Sequence, residues 1–148
     1  MTTVPAAHPY LFDTDAISEV LRPRPLPTYI DWLRAVPREH QFTSAVSVGE
    51  LFKGAFRSIH TDRHLENIRT RLLPALTVLP FDEATAEVFG MVAAHLELAG
   101  QTLPDADLQI AATALYHGLE LVTGNIRHFG RIEGLRVCRV LAQAREET

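Results

Sequence analysis

At 148 residues, 47 % apolar and 22 % charged, the chain has the size and balance of one globular domain spanning residues 1–148. No apolar run reaches the ~20 residues of a membrane helix, and residues 1–9 hold neither a basic nor an apolar segment, which predicts no signal peptide. A net charge of −4 argues against a general nucleic-acid coat, and the lone Cys138 excludes an internal disulfide and fits a reducing cytoplasm.

In chain order, the pattern predicts a strand over 10–13 and a helix over 14–21. Arg22-Pro23-Arg24-Pro25-Leu26-Pro27 reads as a helix stop and an extended connector. A helix over 26–36 follows, with Tyr29, Ile30 and Leu33 on one face, then a strand over 41–44 and a helix over 47–59. The spacing of Leu65, Ile68 and Leu72 predicts a helix over 62–73, and 76–80 reads as a strand. A long helix over 82–99 ends at Gly100, and Pro104 opens another that Gly118 closes after His117. Strands over 120–123 and 136–141 complete the chain. Strands alternating with helices imply a mostly parallel sheet covered on both faces.

Acidic residues fall where these segments break. Asp13 follows Tyr10-Leu11-Phe12, Glu50 follows the second strand, and Asp105 and Asp107 open the helix after Pro104. In such a fold ligands bind outside the carboxyl ends of the strands, where carboxylates from distant segments would meet. Like charges held close are costly unless a cation neutralises them, and hard cations such as Mg²⁺, or Mn²⁺ in its place, take oxygen ligands.

Each acid has a plainer use. Thr14 can cap the first helix, which leaves Asp13 to face the cleft, whereas Ser47-Val48-Gly49-Glu50 fits a capping box that would occupy Glu50. Asp105 and Asp107 lie in a first helical turn, where the helix dipole favours acids anyway. Asp107 shares a face with Ala111 and Ala114, which would turn it along the packed seam. Thr123-Gly124-Asn125 ends a strand before Arg127-His128-Phe129. These residues are either a solvated turn or a set of supporting groups, with Arg127 suited to a phosphate.

Leu11-Phe12-Asp13-Thr14-Asp15, Ser44-Ala45-Val46-Ser47-Val48-Gly49-Glu50-Leu51, Asp107-Leu108-Gln109-Ile110-Ala111-Ala112-Thr113-Ala114 and Leu121-Val122-Thr123-Gly124-Asn125 with His128-Phe129 resemble, in order, the four motifs of PIN-domain ribonucleases of the VapC toxin type. The resemblance implies a three-layer α/β/α sandwich and metal-dependent hydrolysis of RNA at a Mg²⁺ or Mn²⁺ site. It gives Asp13, Glu50 and Asp107 the catalytic and metal-ligand roles, and supporting roles to Thr14, Asp15, Thr123, Asn125 and His128. It further implies a cytoplasmic homodimer and a VapB-type antitoxin that plugs the cleft with a basic side chain. Two departures stand out. Many members have Asn at the position of Asp15, and many carry a further acid where this chain has Asn125 and His128. Asp105 is the substitute ligand the sequence offers.

Two alternatives remain open at this point. A PIN-like protein that has lost a ligand would be a catalytically impaired binding module. Asp13-Thr14-Asp15 also resembles the nucleophile motif of haloacid-dehalogenase-like phosphatases, although Ile17 replaces the expected Thr or Val and Lys53 is the only lysine.

Overall fold

The computed structural model describes residues 8–148. Residues 1–7, most of the stretch read for a leader, lie outside the described residues. Five short strands form one sheet: β1 (Tyr10–Phe12), β2 (Gln41–Ser44), β3 (Thr77–Leu79), β4 (Glu120–Val122) and β5 (Val137–Cys138). Their spatial order is β3-β2-β1-β4-β5, and every pairing is parallel.

Strands this short suffice because neighbouring residues point to opposite faces and both faces are covered. From β1, Tyr10 and Phe12 enter one core with Ala16, Ile17, Tyr29, Trp32 and Leu141, while Leu11 enters the other with Val92, Leu96, Ile110, Ala111 and Phe129. β4 divides likewise, Val122 into the first core and Leu121 into the second. The first layer is built from α1 (Thr14–Val20), α2 (Pro27–Arg34) and α8 (Val140–Glu146). The second is built from α5 (Glu83–Leu98), α6 (Asp105–His117) and α7 (Ile126–Phe129). This is the expected α/β/α arrangement around a parallel sheet. No helix among the described residues is long and apolar enough to cross a membrane.

Some boundaries depart from expectation. The helix predicted over 47–59 is α3 (Ala45–Arg57), which starts two residues earlier because Ser44 caps it, accepting from the N–H groups of Val46 and Ser47. The segment predicted as a helix over 62–73 begins as α4 (Thr61–Asn67), then widens to a π turn over Ile68–Leu72 and tightens to a 3-10 turn over Leu73–Ala75. Ile68 and Leu72 remain buried through this change, and Pro74, with no N–H to give, ends the helical run. The strand predicted over 136–141 is real only at Val137–Cys138. Val140, Leu141 and Ala144 are instead the buried face of α8, at the i, i+1, i+4 spacing of a helix.

The sheet places the site. Starting from β1, the chain builds outward through β2 and β3 on one side and through β4 and β5 on the other. The order therefore reverses between β1 and β4, and a crevice opens beyond their carboxyl ends. Asp13 and Thr123 are the first residues past those two ends.

Candidate active site

Asp13 is tied to the neighbouring strand through its backbone, its N–H donating to Val122 O at 3.1 Å. Its side chain caps α1 itself, Oδ1 accepting from Ala16 N at 2.8 Å. This corrects the assignment of the cap to Thr14: a carboxylate one residue earlier in extended backbone reaches the first-turn N–H groups better. The Thr123 hydroxyl donates to Asp13 and accepts from Asn125 N at 3.0 Å. Only 5 % of Asp13 is exposed. Burial pushes its carboxyl up to about 7, against the opposing pull of the Thr123 and Ala16 hydrogen bonds, with Asp15 and Asp107 adding to the rise.

Glu50 is exposed on α3 and takes no part in a capping box, since Ser44 holds the cap position. The Thr14 hydroxyl donates to Glu50 Oε1 at 2.5 Å, a link from α1 across to α3. Thr14 is thereby released from capping and becomes the contact between the first and second motifs.

Asp107 stands in the first turn of α6, half-buried. Loss of solvent raises its carboxyl above the ordinary value, the Glu50 charge raises it further, and His128 opposes both. His128 Nδ1 lies 3.7 Å from Asp107 Oδ2 and 2.8 Å from Asn125 Nδ2. Asn125 caps α7, its Oδ1 accepting from His128 N at 3.5 Å. The fourth motif is thus folded around its own short helix, which aims His128 at Asp107.

Asp107 lies within electrostatic reach of both Asp13 and Glu50; Thr123 bonds Asp13, Thr14 bonds Glu50, His128 stands beside Asp107, and Asn125 bonds Thr123 and His128. Asp105 is not brought to this group. It is exposed and lines a separate cavity with Ala93, Leu96 and Gln101, because residues two apart on a helix point to nearly opposite sides. Asp15 turns toward α8, where the Arg145 guanidinium grips it. Arg127 is exposed on α7 and makes no ion pair among the described residues. Lys53 is exposed on α3, and Asp15 is committed to Arg145, so the phosphatase alternative lacks its second acid and its lysine.

Two residues near the site carry no motif signal. Tyr29 donates its hydroxyl to Ala16 O at 2.9 Å beneath the first turn of α1. Arg145 comes from the helix read in part as a strand, and only the i, i+1, i+4 pattern of Val140, Leu141 and Ala144 could have disclosed it.

A hard divalent cation fits this donor set. The convergent groups are carboxylate, hydroxyl and amide oxygens, and Cys138 lies elsewhere with its thiol pushed up to about 11 by burial. Burial is the main cause that raises both Asp13 and Asp107, and a neighbouring carboxylate adds to the rise at each, so a bound cation would relieve both. Ser47, one turn before Glu50, buries its hydroxyl oxygen without a hydrogen-bond partner. Among the described residues no three His, Cys, Asp or Glu side chains stand together as a ready-made cage. Glu50 is turned to Thr14 and Asp107 to His128, as mutual repulsion between carboxylates requires.

Comparison with known proteins places this geometry. The PIN domain profile matches residues 10–135. Toxin FitB of Neisseria gonorrhoeae is 32 % identical over 124 residues, covering 80 % of this chain and 89 % of its own. Ribonuclease VapC2 of Haemophilus influenzae is 32 % identical over 127 residues, covering 86 % and 94 %. The DNA-bound VapBC structure from Salmonella typhimurium superposes with a TM-score of 0.80 at 27 % identity, over 88 % of this chain and 97 % of that one.

Proposed function

This chain belongs to the PIN-domain family, and from that premise we propose that it is a VapC-type toxin, a Mg²⁺- or Mn²⁺-dependent ribonuclease of a toxin–antitoxin pair. The observation that carries the reading is Asp13 buried at the crevice where the strand order reverses, with Asp107 near enough to act on its carboxyl and Glu50 near enough to act on that of Asp107. Relatives named as ribonucleases and as a toxin support the class of reaction and its biological setting.

Asp13, Glu50 and Asp107 would hold the cation. When bound, it supplies charge that polarises the scissile phosphate and acidifies a water. The chain's own residues do the rest. Asp13 is fixed by three partners, the Ala16 N–H, the Thr123 hydroxyl and the β4 backbone, so it contributes a carboxylate of set position. Glu50, exposed and bonded to Thr14, is the acid of the three with most room to orient a water and take its proton. His128 stands beside Asp107 where an incoming phosphate oxygen would meet an imidazole. Arg127, exposed on the same short helix, suits a flanking phosphate.

The partner reading follows from the same surface. A groove of about 350 Å³ between α1, α3 and α4, lined by Leu21, Leu51, Ala55, His64 and Ile68, runs up to Glu50. An apolar antitoxin segment lying there would deliver a basic side chain to the acids. The VapBC assembly of the Salmonella relative supports such a pairing. We also read the protein as a cytoplasmic homodimer, on family grounds.

Cleavage of a structured RNA with Mn²⁺, Mg²⁺ or chelator present is the test. Loss of cleavage in chelator and in Asp107→Asn is expected. Cleavage that persists in both removes the proposal. Antitoxin should bind more weakly as Mn²⁺ rises, and affinity indifferent to Mn²⁺ would remove the plug.

A further inference from the structure

Arg145, in the last helix, reaches back to the first motif. Its Nη1 donates to Asp15 Oδ2 at 2.7 Å and its Nη2 to Asp15 Oδ1 at 2.8 Å, a two-pronged fork. The same Nη2 lies 3.5 Å from Oε1 of Glu19, which is buried to 1 % exposure and also accepts from Leu26 N. The guanidinium and the Asp15 carboxylate crowd Gly124 so closely that a Cβ there would collide with both. One side chain therefore joins α1, α8 and the turn between Thr123 and Asn125.

We propose that Arg145 is a positioning residue for the acid cluster: it holds Asp15 away from the crevice, cancels its charge, and presses the first turn of α1 against the fourth-motif turn. The inference rests on reading Asp13, Glu50 and Asp107 as a cation site. Asp15 lies two residues from Asp13 in the first turn of α1. A free carboxylate at 15 would compete for the cation and draw it from the place the other acids define. A guanidinium is suited to the task because its planar fork matches a carboxylate in two bonds at once. An exposed ion pair alone contributes little. This one differs in being bidentate, in sharing its cation with a buried carboxylate, and in packing closely over the backbone of Gly124.

The experiment compares wild type, Arg145→Ala, Arg145→Lys and the double variant Asp15→Asn/Arg145→Ala. Mn²⁺ affinity is read by calorimetric titration, and RNA cleavage at saturating Mn²⁺. Removing a nearby positive charge and freeing a negative one should tighten Mn²⁺ binding in Arg145→Ala by roughly threefold or more. Cleavage should fall roughly tenfold or more, because the ion sits wrongly. A purely structural role would not move affinity and rate in opposite directions. Asp15→Asn should return both toward wild type, and Arg145→Lys, which keeps charge but not the fork, should lie between. If Arg145→Ala does not fold, Arg145→Lys and the double variant carry the comparison, with the double variant the faster of the two. A double variant that folds and is as slow as Arg145→Ala, or an Arg145→Ala equal to wild type in both readings, overturns the inference. A wild type that neither binds Mn²⁺ nor cleaves RNA overturns the cation site on which it rests.

Discussion

Thr14 donates its hydroxyl hydrogen to Glu50 Oε1 at 2.5 Å, so the residue beside the first acid orients the second. Because Ser44 caps α3, Glu50 does no structural work for its own helix. The two residues should therefore separate function from stability. Glu50→Gln is expected to abolish cleavage while shifting stability by less than about 1 kcal/mol, the ordinary range for an exposed side chain. Ser44→Ala should cost about 1–2 kcal/mol through the lost cap. Thr14→Val should leave the melting temperature nearly unchanged and slow cleavage less than Glu50→Gln does. Thermal melts beside RNA cleavage assays check all three. A Glu50→Gln protein that is destabilised but cleaves normally would restore the capping-box role.

Asp13 predicts a pH dependence of stability. Its carboxyl sits at about 7 when folded, against 3.8 for an ordinary aspartate. A raised carboxyl holds its proton more tightly in the folded state. Its contribution is full below about pH 4 and is lost as pH rises through about 7. A rise of that size corresponds to on the order of 4 kcal/mol at most. Asp13→Asn keeps the cap, since Asn caps as well as Asp. In chelator it should melt higher than wild type at pH 8, with the advantage shrinking toward pH 4. Asp13→Ala should gain less, because it also forfeits about 1 kcal/mol of capping. A difference that does not change with pH would show that Asp13 is ionised without penalty.

The sheet, its parallel sense and the helices were legible because apolar periodicity reports burial directly. β2 falls at 41–44 as predicted, and Gly118 ends α6 in the left-handed conformation that glycine adopts without steric cost. The place of Asp13 at the carboxyl edge of the sheet was legible from topology, since it directly follows a strand. What each side chain bonds was not. Asp13 or Thr14 could cap α1, and Ser44 or Ser47 could cap α3, and local sequence favours neither. Arg145 was hidden because its partner Asp15 is 130 residues away and its helix begins inside an apolar run that also suits a strand.

Metal binding should be visible in stability. A ligand that binds only the folded state at 100 times its Kd adds about 2.7 kcal/mol, which for a chain of this length is roughly 5–10 °C. Mn²⁺ should raise the wild-type melting temperature by that order at pH 8, and by less at pH 5, where Asp13 retains its proton. Asp13→Asn and Asp107→Asn should each lose most of the gain. Equal gains in wild type and in both variants would put the ion elsewhere.

The fourth motif yields the last prediction. His128 Nδ1 faces Asn125 Nδ2 at 2.8 Å and Asp107 Oδ2 at 3.7 Å. One nitrogen cannot accept from the amide and donate to the carboxylate at once. Nδ1 therefore accepts from the Asn125 amide when it carries no proton and donates to Asp107 when it does, so the two contacts are alternatives. We expect His128 to flank the acids beside Asp107 rather than to hold the ion. His128→Ala should slow cleavage far less than Asp107→Asn and leave Mn²⁺ affinity unchanged. Asn125→Ala should cost about 1 kcal/mol through the lost cap of α7 and slow cleavage to the same modest degree. His128→Asp places a second carboxylate against Asp107. In chelator that repulsion should lower the melting temperature, and Mn²⁺ should then raise it by more than in wild type, with a second ion bound. Calorimetric titration gives the number of ions, and the melts give the sign. Complete loss of Mn²⁺ binding in His128→Ala would make the imidazole a ligand in its own right, and an unchanged rate would leave it a solvated residue of the loop.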